Sequence, residues 1–188
     1  MRLSAPRIAP VELDRLDDDQ RAALEPFLVQ GRVLNIFRTL ARLPRALTAF
    51  VSWGGYILSR RNSLPPRERE LAILRTGYLC GAGYEWTQHV PIGLEARLHE
   101  AEIERIKVGP EATEWSAVDR AILRACDELV GDHFVTTATW DALEKFGDTG
   151  RADLVFTVGQ YTQVSMILNS FGVQLDPGQQ LDPALDRR

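Results

Sequence analysis

Cysteine is almost missing from this chain of 188 residues: there are two, Cys80 and Cys126, 46 positions apart. So sparse a pair is no disulfide framework, and both read as free thiols. An excess of one charge is missing too. Twenty-two basic residues stand against 26 acidic ones for a net charge of −4, and the basic residues are scattered among the acids rather than gathered into a stripe, which removes nucleic acid as a partner. Long apolar runs are absent, and the opening MRLSAPRIAPVELDRLDDDQ contains no apolar core of a secretory signal. No membrane span is therefore expected, and the expected compartment is the cytoplasm. The chain also lacks a Gly-rich phosphate loop, a Gly-x-Ser-x-Gly elbow and a Cys/His zinc spacing, which removes the common nucleotide, hydrolase and zinc readings.

What the chain does have is apolar content, 45%, enough for one continuous core in a single domain. Residues 1–16, with Pro6 and Pro10 among isolated apolar residues, read as an extended arm of a kind that often docks on a neighbouring subunit. Helical periodicity then fills residues 17–172. A first helix is expected over about 17–29 behind Asp17-Asp18-Asp19, with further helices from Asn35 to Pro44, from there to about residue 60, and from Pro65-Pro66 to Gly81. The next begins near Tyr84 and should kink just past His89, because Pro91 lacks an amide and clashes with the carbonyl of Thr87. Helices at about 99–107, 114–131 and 137–146 follow. The β-branched run from Arg151 to Ser170 is too long for a strand and is read as a buried helix. Residues 173–188 have the Pro/Gly/Asp composition of an irregular tail without a core of its own.

Chemistry is suggested first by Glu85 and His89, four positions apart and so on one face of a helix. A carboxylate beside an imidazole fixes its tautomer and favours the imidazolium, as a general acid/base near neutral pH requires; the plain alternative is a solvated pair on a helix face. Tyr84, Trp86 and Cys80 flank the pair. Glu70, Glu85 and His89 are also metal-ligand types, but helical di-iron sites repeat a Glu-x-x-His motif that this chain does not contain, and His99 and His133 lie in polar surroundings. No metal and no cofactor is expected. Gln160, Gln163 and Asn169 are amides among apolar residues that need partners, from the core or from a ligand. Phe37, Trp53 and Tyr56 read most simply as core or subunit-interface residues, with pocket lining as the alternative.

The segments RERELAIL and YEWTQHVPIGLEA, separated by a Gly-rich break, resemble the core signature of carboxymuconolactone decarboxylase-like and alkylhydroperoxidase D-like proteins. The likeness is strong over about residues 64–107 and compatible with the helical pattern of residues 35–172. It implies an all-α, alkylhydroperoxidase D-like helical bundle that assembles as a homo-oligomer, a trimer or hexamer, with pockets near subunit contacts. In the decarboxylase branch a Glu-x-x-x-His-Val segment matches Glu85 to Val90. In the peroxidase branch a glutamate serves a Cys-x-x-Cys pair and a histidine; Glu70 and His89 fall at the glutamate and histidine positions, but Ala82 and Glu85 replace the cysteines. The peroxidase dithiol is therefore missing.

Three functions follow as expectations. The first is a lyase-type enzyme on a small organic acid or lactone, in which His89 moves a proton, Glu85 or Glu70 orients it, and Tyr84, Trp86, Cys80 and Asn169 contact substrate. The second is an alkylhydroperoxidase-type antioxidant enzyme working through Cys80 alone, with an external thiol as resolver. Against it, Cys80 also reads as a small buried residue at a helix end. The third is a non-catalytic helical oligomer that binds an apolar ligand.

Overall fold

The computed structural model describes residues 1–186, and the described residues form nine α-helices with two short 3-10 turns and no strand. Local chemistry explains where the helices start. At α1 (Asp18–Val29) the Asp17 carboxylate accepts from the Gln20 amide at 2.8 Å while the Gln20 side chain accepts from the Asp17 amide, a reciprocal cap. Proline opens both α3 (Pro44–Ile57) and α4 (Pro66–Leu79), where a missing amide costs nothing; α2 (Asn35–Leu40) is the short helix before them. Helix α5 (Gly83–Glu95) runs on through Pro91 for another turn, so the kink expected after His89 does not end the helix. Helices α6 (Glu100–Val108), α7 (Ala117–Asp132) and α8 (Thr137–Ala142) follow, α7 capped by Ser116.

The β-branched run is helical, as α9 (Gly147–Phe171), beginning four residues before the expected Arg151. Two of its threonines bond back to their own helix: Thr157 Oγ1 to the Asp153 carbonyl at 2.7 Å and Thr162 Oγ1 to that of Val158 at 2.8 Å. Gly172 ends it at φ +70°, where a Cβ would lie 2.9 Å from the Ala5 carbonyl oxygen, so a side chain there would be opposed by backbone conformation and by the arm at once.

Helix α4 is the axis of the molecule. Every residue from Glu70 to Gly77 is buried, and α5, α6, α7 and α9 all pack on it. One apolar cluster joins α4 to α6, α7 and the Trp86 face of α5; a second joins α1, α2 and α3 to α9 and Tyr84. The arm lies on its own chain, with the Arg7 and Ile8 amides donating to the Phe171 carbonyl and the Val11 amide to that of Arg38. The tail is irregular but joins the shared core, burying Val173, Asp176 and Leu185. No helix among the described residues is long and apolar enough to cross a membrane.

Candidate active site

Glu70 projects from α4 and His89 from α5, and both side chains are buried between the helices. The imidazole Nδ1 lies 2.8 Å from Glu70 Oε2. An ionised carboxylate can only accept, so Nδ1 carries a proton and donates it, and in the neutral ring Nε2 is left with a free lone pair. A second restraint comes from α9, whose Tyr161 ring meets the imidazole edge-on, centroids 4.9 Å apart. Of the two acids expected to orient His89, Glu70 is the one that does so.

Glu85, one helical turn before His89, faces elsewhere. Its Oε2 accepts from Ser165 Oγ at 3.1 Å, and its Oε1 is buried without a hydrogen-bond partner among the described residues. The carboxyl fits because residue 77 is glycine: a Cβ there would stand 2.6 Å from Oε1. Complete burial pushes this carboxyl well above the usual range; the Ser165 hydroxyl pulls back and the nearby Glu70 charge adds to the rise. Burial thus favours the neutral form of Glu85 beside the hydrogen-bonded Glu70 and His89. Burial, together with the same two acids, also pushes the Tyr161 phenol upward.

His89, Glu85 and Tyr161 line a cavity of about 320 Å³, at the small end for organic ligands. Its walls are otherwise mostly apolar: Phe27 and Phe37, stacked with centroids 3.9 Å apart, then Phe50, Val51, Ile92 and Val164 among others. Among the described residues no lysine or arginine lines it. Tyr84 and Gln88 do, but their polar ends are already engaged by the tail. The Tyr84 hydroxyl donates to Asp176 Oδ2 at 2.6 Å, and Gln88 Nε2 donates to the same oxygen at 2.7 Å. Burial and the Asp176 hydrogen bond push the Tyr84 phenol upward.

Three expected substrate contacts lie outside this cavity. Trp86 is on the opposite side of α5, tilted against Tyr78 and beneath the Lys107 ammonium, because the helical twist carries it into the α4–α7 cluster. Cys80 and Asn169 sit together in a separate, more open recess with Arg2, Arg7 and Ser165, where Asn169 Nδ2 donates to the Cys80 carbonyl at 3.0 Å. Burial, and then the Glu85 charge it would face, push the Cys80 thiol upward against the pull of the Ser165 and Thr162 hydroxyls. Cys126 is wholly buried and its thiol is pushed up to about 12. Among the described residues no three of His, Cys, Asp and Glu are grouped so as to hold a metal ion.

Residues 44–128, from the start of α3 through most of α7, match the Carboxymuconolactone decarboxylase family, and this span contains Glu70, Glu85 and His89. Over that span the chain is similar to this family. No curated protein matches it. Among solved structures, an uncharacterized peroxidase-related protein with an alkylhydroperoxidase core from Ralstonia eutropha JMP134 superposes with a TM-score of 0.77 at 23% identity, over 92% of this chain and 93% of that one. A peroxidase-related protein from Silicibacter sp. TM1040 gives 0.76 at 15% identity, over 93% and 95%. A cysteine-to-alanine variant of the debrominase Bmp8, solved with 2,3,4-tribromopyrrole, gives 0.75 at 13%, over 93% and 94%. At such identities these likenesses establish the alkylhydroperoxidase D-like fold.

The sequence pattern missed Tyr161, Ser165 and Gly77. The first two are one turn apart on α9, and a polar pair at that spacing within a buried run was the available signal. Gly77 offered none, since a glycine inside a helix looks the same whether it clears space for a carboxyl or not.

Proposed function

We propose that this protein is an enzyme that moves a proton on a carbon next to a carbonyl or lactone group, without a cofactor, in a small and largely apolar molecule. The observation that carries this reading is the buried pair of His89 and Glu70 at the edge of an apolar cavity. His89 Nε2 takes the proton from carbon, the C–H electron pair moves into an enolate, and the imidazolium that forms stands against the Glu70 carboxylate. Returning the proton to a different carbon completes an isomerisation. Loss of CO2 from a β-keto or vinylogous acid would pass through the same enolate: His89 Nε2 takes the carboxyl proton, the C–C electron pair moves into the enolate as CO2 leaves, and the imidazolium returns that proton to carbon.

Of these two, proton transfer on a neutral molecule is favoured, because among the described residues a substrate carboxylate would find no lysine or arginine on the walls. The peroxidase reading has less support. Cys80 lies outside the cavity and its thiol is pushed upward, away from the thiolate that attacks peroxide. The debrominase and the peroxidase-related neighbours show that this fold has been found with a halogenated ring and associated with redox chemistry, but neither carries its reaction across at such identities.

The test is deuterium uptake in D2O at carbon next to the carbonyl of small cyclic ketones and lactones, followed by NMR. Wild-type protein is expected to accelerate exchange in at least one of them, and His89→Gln to abolish the acceleration. Equal exchange in both proteins removes His89 from the chemistry.

A further inference from the structure

Gln160 on α9 is a wall residue of the cavity whose side-chain amide has no hydrogen bond at either end among the described residues. It is 4% exposed, its Oε1 is buried without a partner, and no hydrogen bond from its Nε2 occurs among the described residues. Gln88 across the cavity is held by Asp176 and Gln179, and Glu85 by Ser165. The Gln160 Nε2 end lies against α3 at Gly54, itself a wall residue, where a Cβ would be 3.9 Å away. Of the two ends, Oε1 is sealed within the protein and can only accept, so Nε2 is the end that can meet a ligand oxygen. Gln160 neighbours Tyr161, whose ring packs on His89, so amide and imidazole face one cavity from adjacent helices.

We propose that Gln160 is the carbonyl-recognising residue: its Nε2 donates to the oxygen of a neutral ketone, lactone or amide in the cavity. This rests on the proton-transfer reading and names its substrate class. When His89 removes the neighbouring proton, the negative charge goes to that oxygen, and an amide N–H bonded to it stabilises the enolate more than the ketone. The enolate oxygen stays on the amide N–H until the proton returns to carbon, so nothing else is consumed.

The probes are 1-indanone and indane, alike in shape except for the carbonyl oxygen. Calorimetric titration of wild-type protein is expected to give about tenfold tighter binding of 1-indanone, the equivalent of about 1.4 kcal/mol. The carbonyl infrared band of bound 1-indanone should move to lower frequency. Gln160→Leu should remove both the preference and the band shift while still binding indane, and Gln160→Met serves the same purpose should the leucine variant not fold. An unchanged preference or band in a folded variant overturns the proposal, as does a wild-type protein that binds neither probe or both equally. These readouts involve no turnover, so their failure leaves the His89 exchange result standing, and failed exchange with an intact band shift leaves Gln160 as a binding residue.

Discussion

The two hollows on either side of Glu85 share helix α9, yet the His89 cavity adds α1, α2, α3 and α5 to it and the Cys80 recess adds the arm and the end of α4, and they suit opposite purposes. The His89 cavity is closed in by aromatic and aliphatic walls, and its central ring is restrained by a carboxylate and a tyrosine. The Cys80 recess is more open, edged by Arg2 and Arg7, and its thiol is pushed away from its reactive form. Ser165 lines the recess while its hydroxyl reaches Glu85 on the cavity side. The difference teaches that a polar residue near the family's motif is not thereby a reactive one; dryness and a committed partner decide it.

The sharpest way to break this contrast is to remove the imidazole and the thiol in turn. His89→Gln should lower ketone exchange by at least about 100-fold, the usual worth of a positioned acid/base group, whereas Cys80→Ser should leave it within about twofold. Comparable losses in the two variants would merge the hollows into one functional unit. A slow reaction of Cys80 with a disulfide reagent at pH 8, quickening as pH rises, would sharpen the contrast, and a rate equal to that of free cysteine would blunt it.

Next in size is the wall between the hollows. Gly77→Ala forces a methyl to within 2.6 Å of Glu85 Oε1. It should cost about 1–3 kcal/mol in denaturant unfolding, as overpacking does. Combined with Glu85→Ala, the same methyl should cost much less, because the carboxyl it meets is gone. Simple additivity of the two changes would place the strain elsewhere.

A smaller, pH-graded effect comes from the raised Glu85 carboxyl. Below the usual carboxylate range the folded and unfolded chains both hold this proton, and its contribution to stability is complete. As pH rises, the unfolded chain releases the proton first, and stability is lost until the folded carboxyl also ionises. Glu85→Gln should therefore gain on the wild type from about pH 4.5 upward, by at most about 1.4 kcal/mol per pH unit. A difference that is flat with pH would mean that Glu85 ionises normally when folded.

The helical architecture was legible in the chain because its cues are local: Asp17 caps, Pro44 and Pro66 start, and Gly172 ends their helices. The β-branched run of α9 was resolved by length rather than propensity, and burial beside α4 explains why propensity lost. At the site, the i,i+4 spacing placed Glu85 and His89 on neighbouring turns but could not say which acid the ring would choose. That choice depends on the packing of α4 on α5, a contact between segments, and it went to Glu70. Trp86 shows the same limit, since adjacency in sequence to Glu85 turned it into a different core. Tyr161 and Gln160, about seventy residues beyond His89, come to the cavity only through the return of α9.

All of this turns on which imidazole nitrogen faces the cavity with its lone pair. Nitrogen-15 NMR of the His89 ring in its neutral form reads that directly. The Glu70 contact predicts a protonated Nδ1 and a bare Nε2, with the preference lost in Glu70→Ala. A proton found on Nε2 instead, or a spectrum unchanged by Glu70→Ala, would contradict the account.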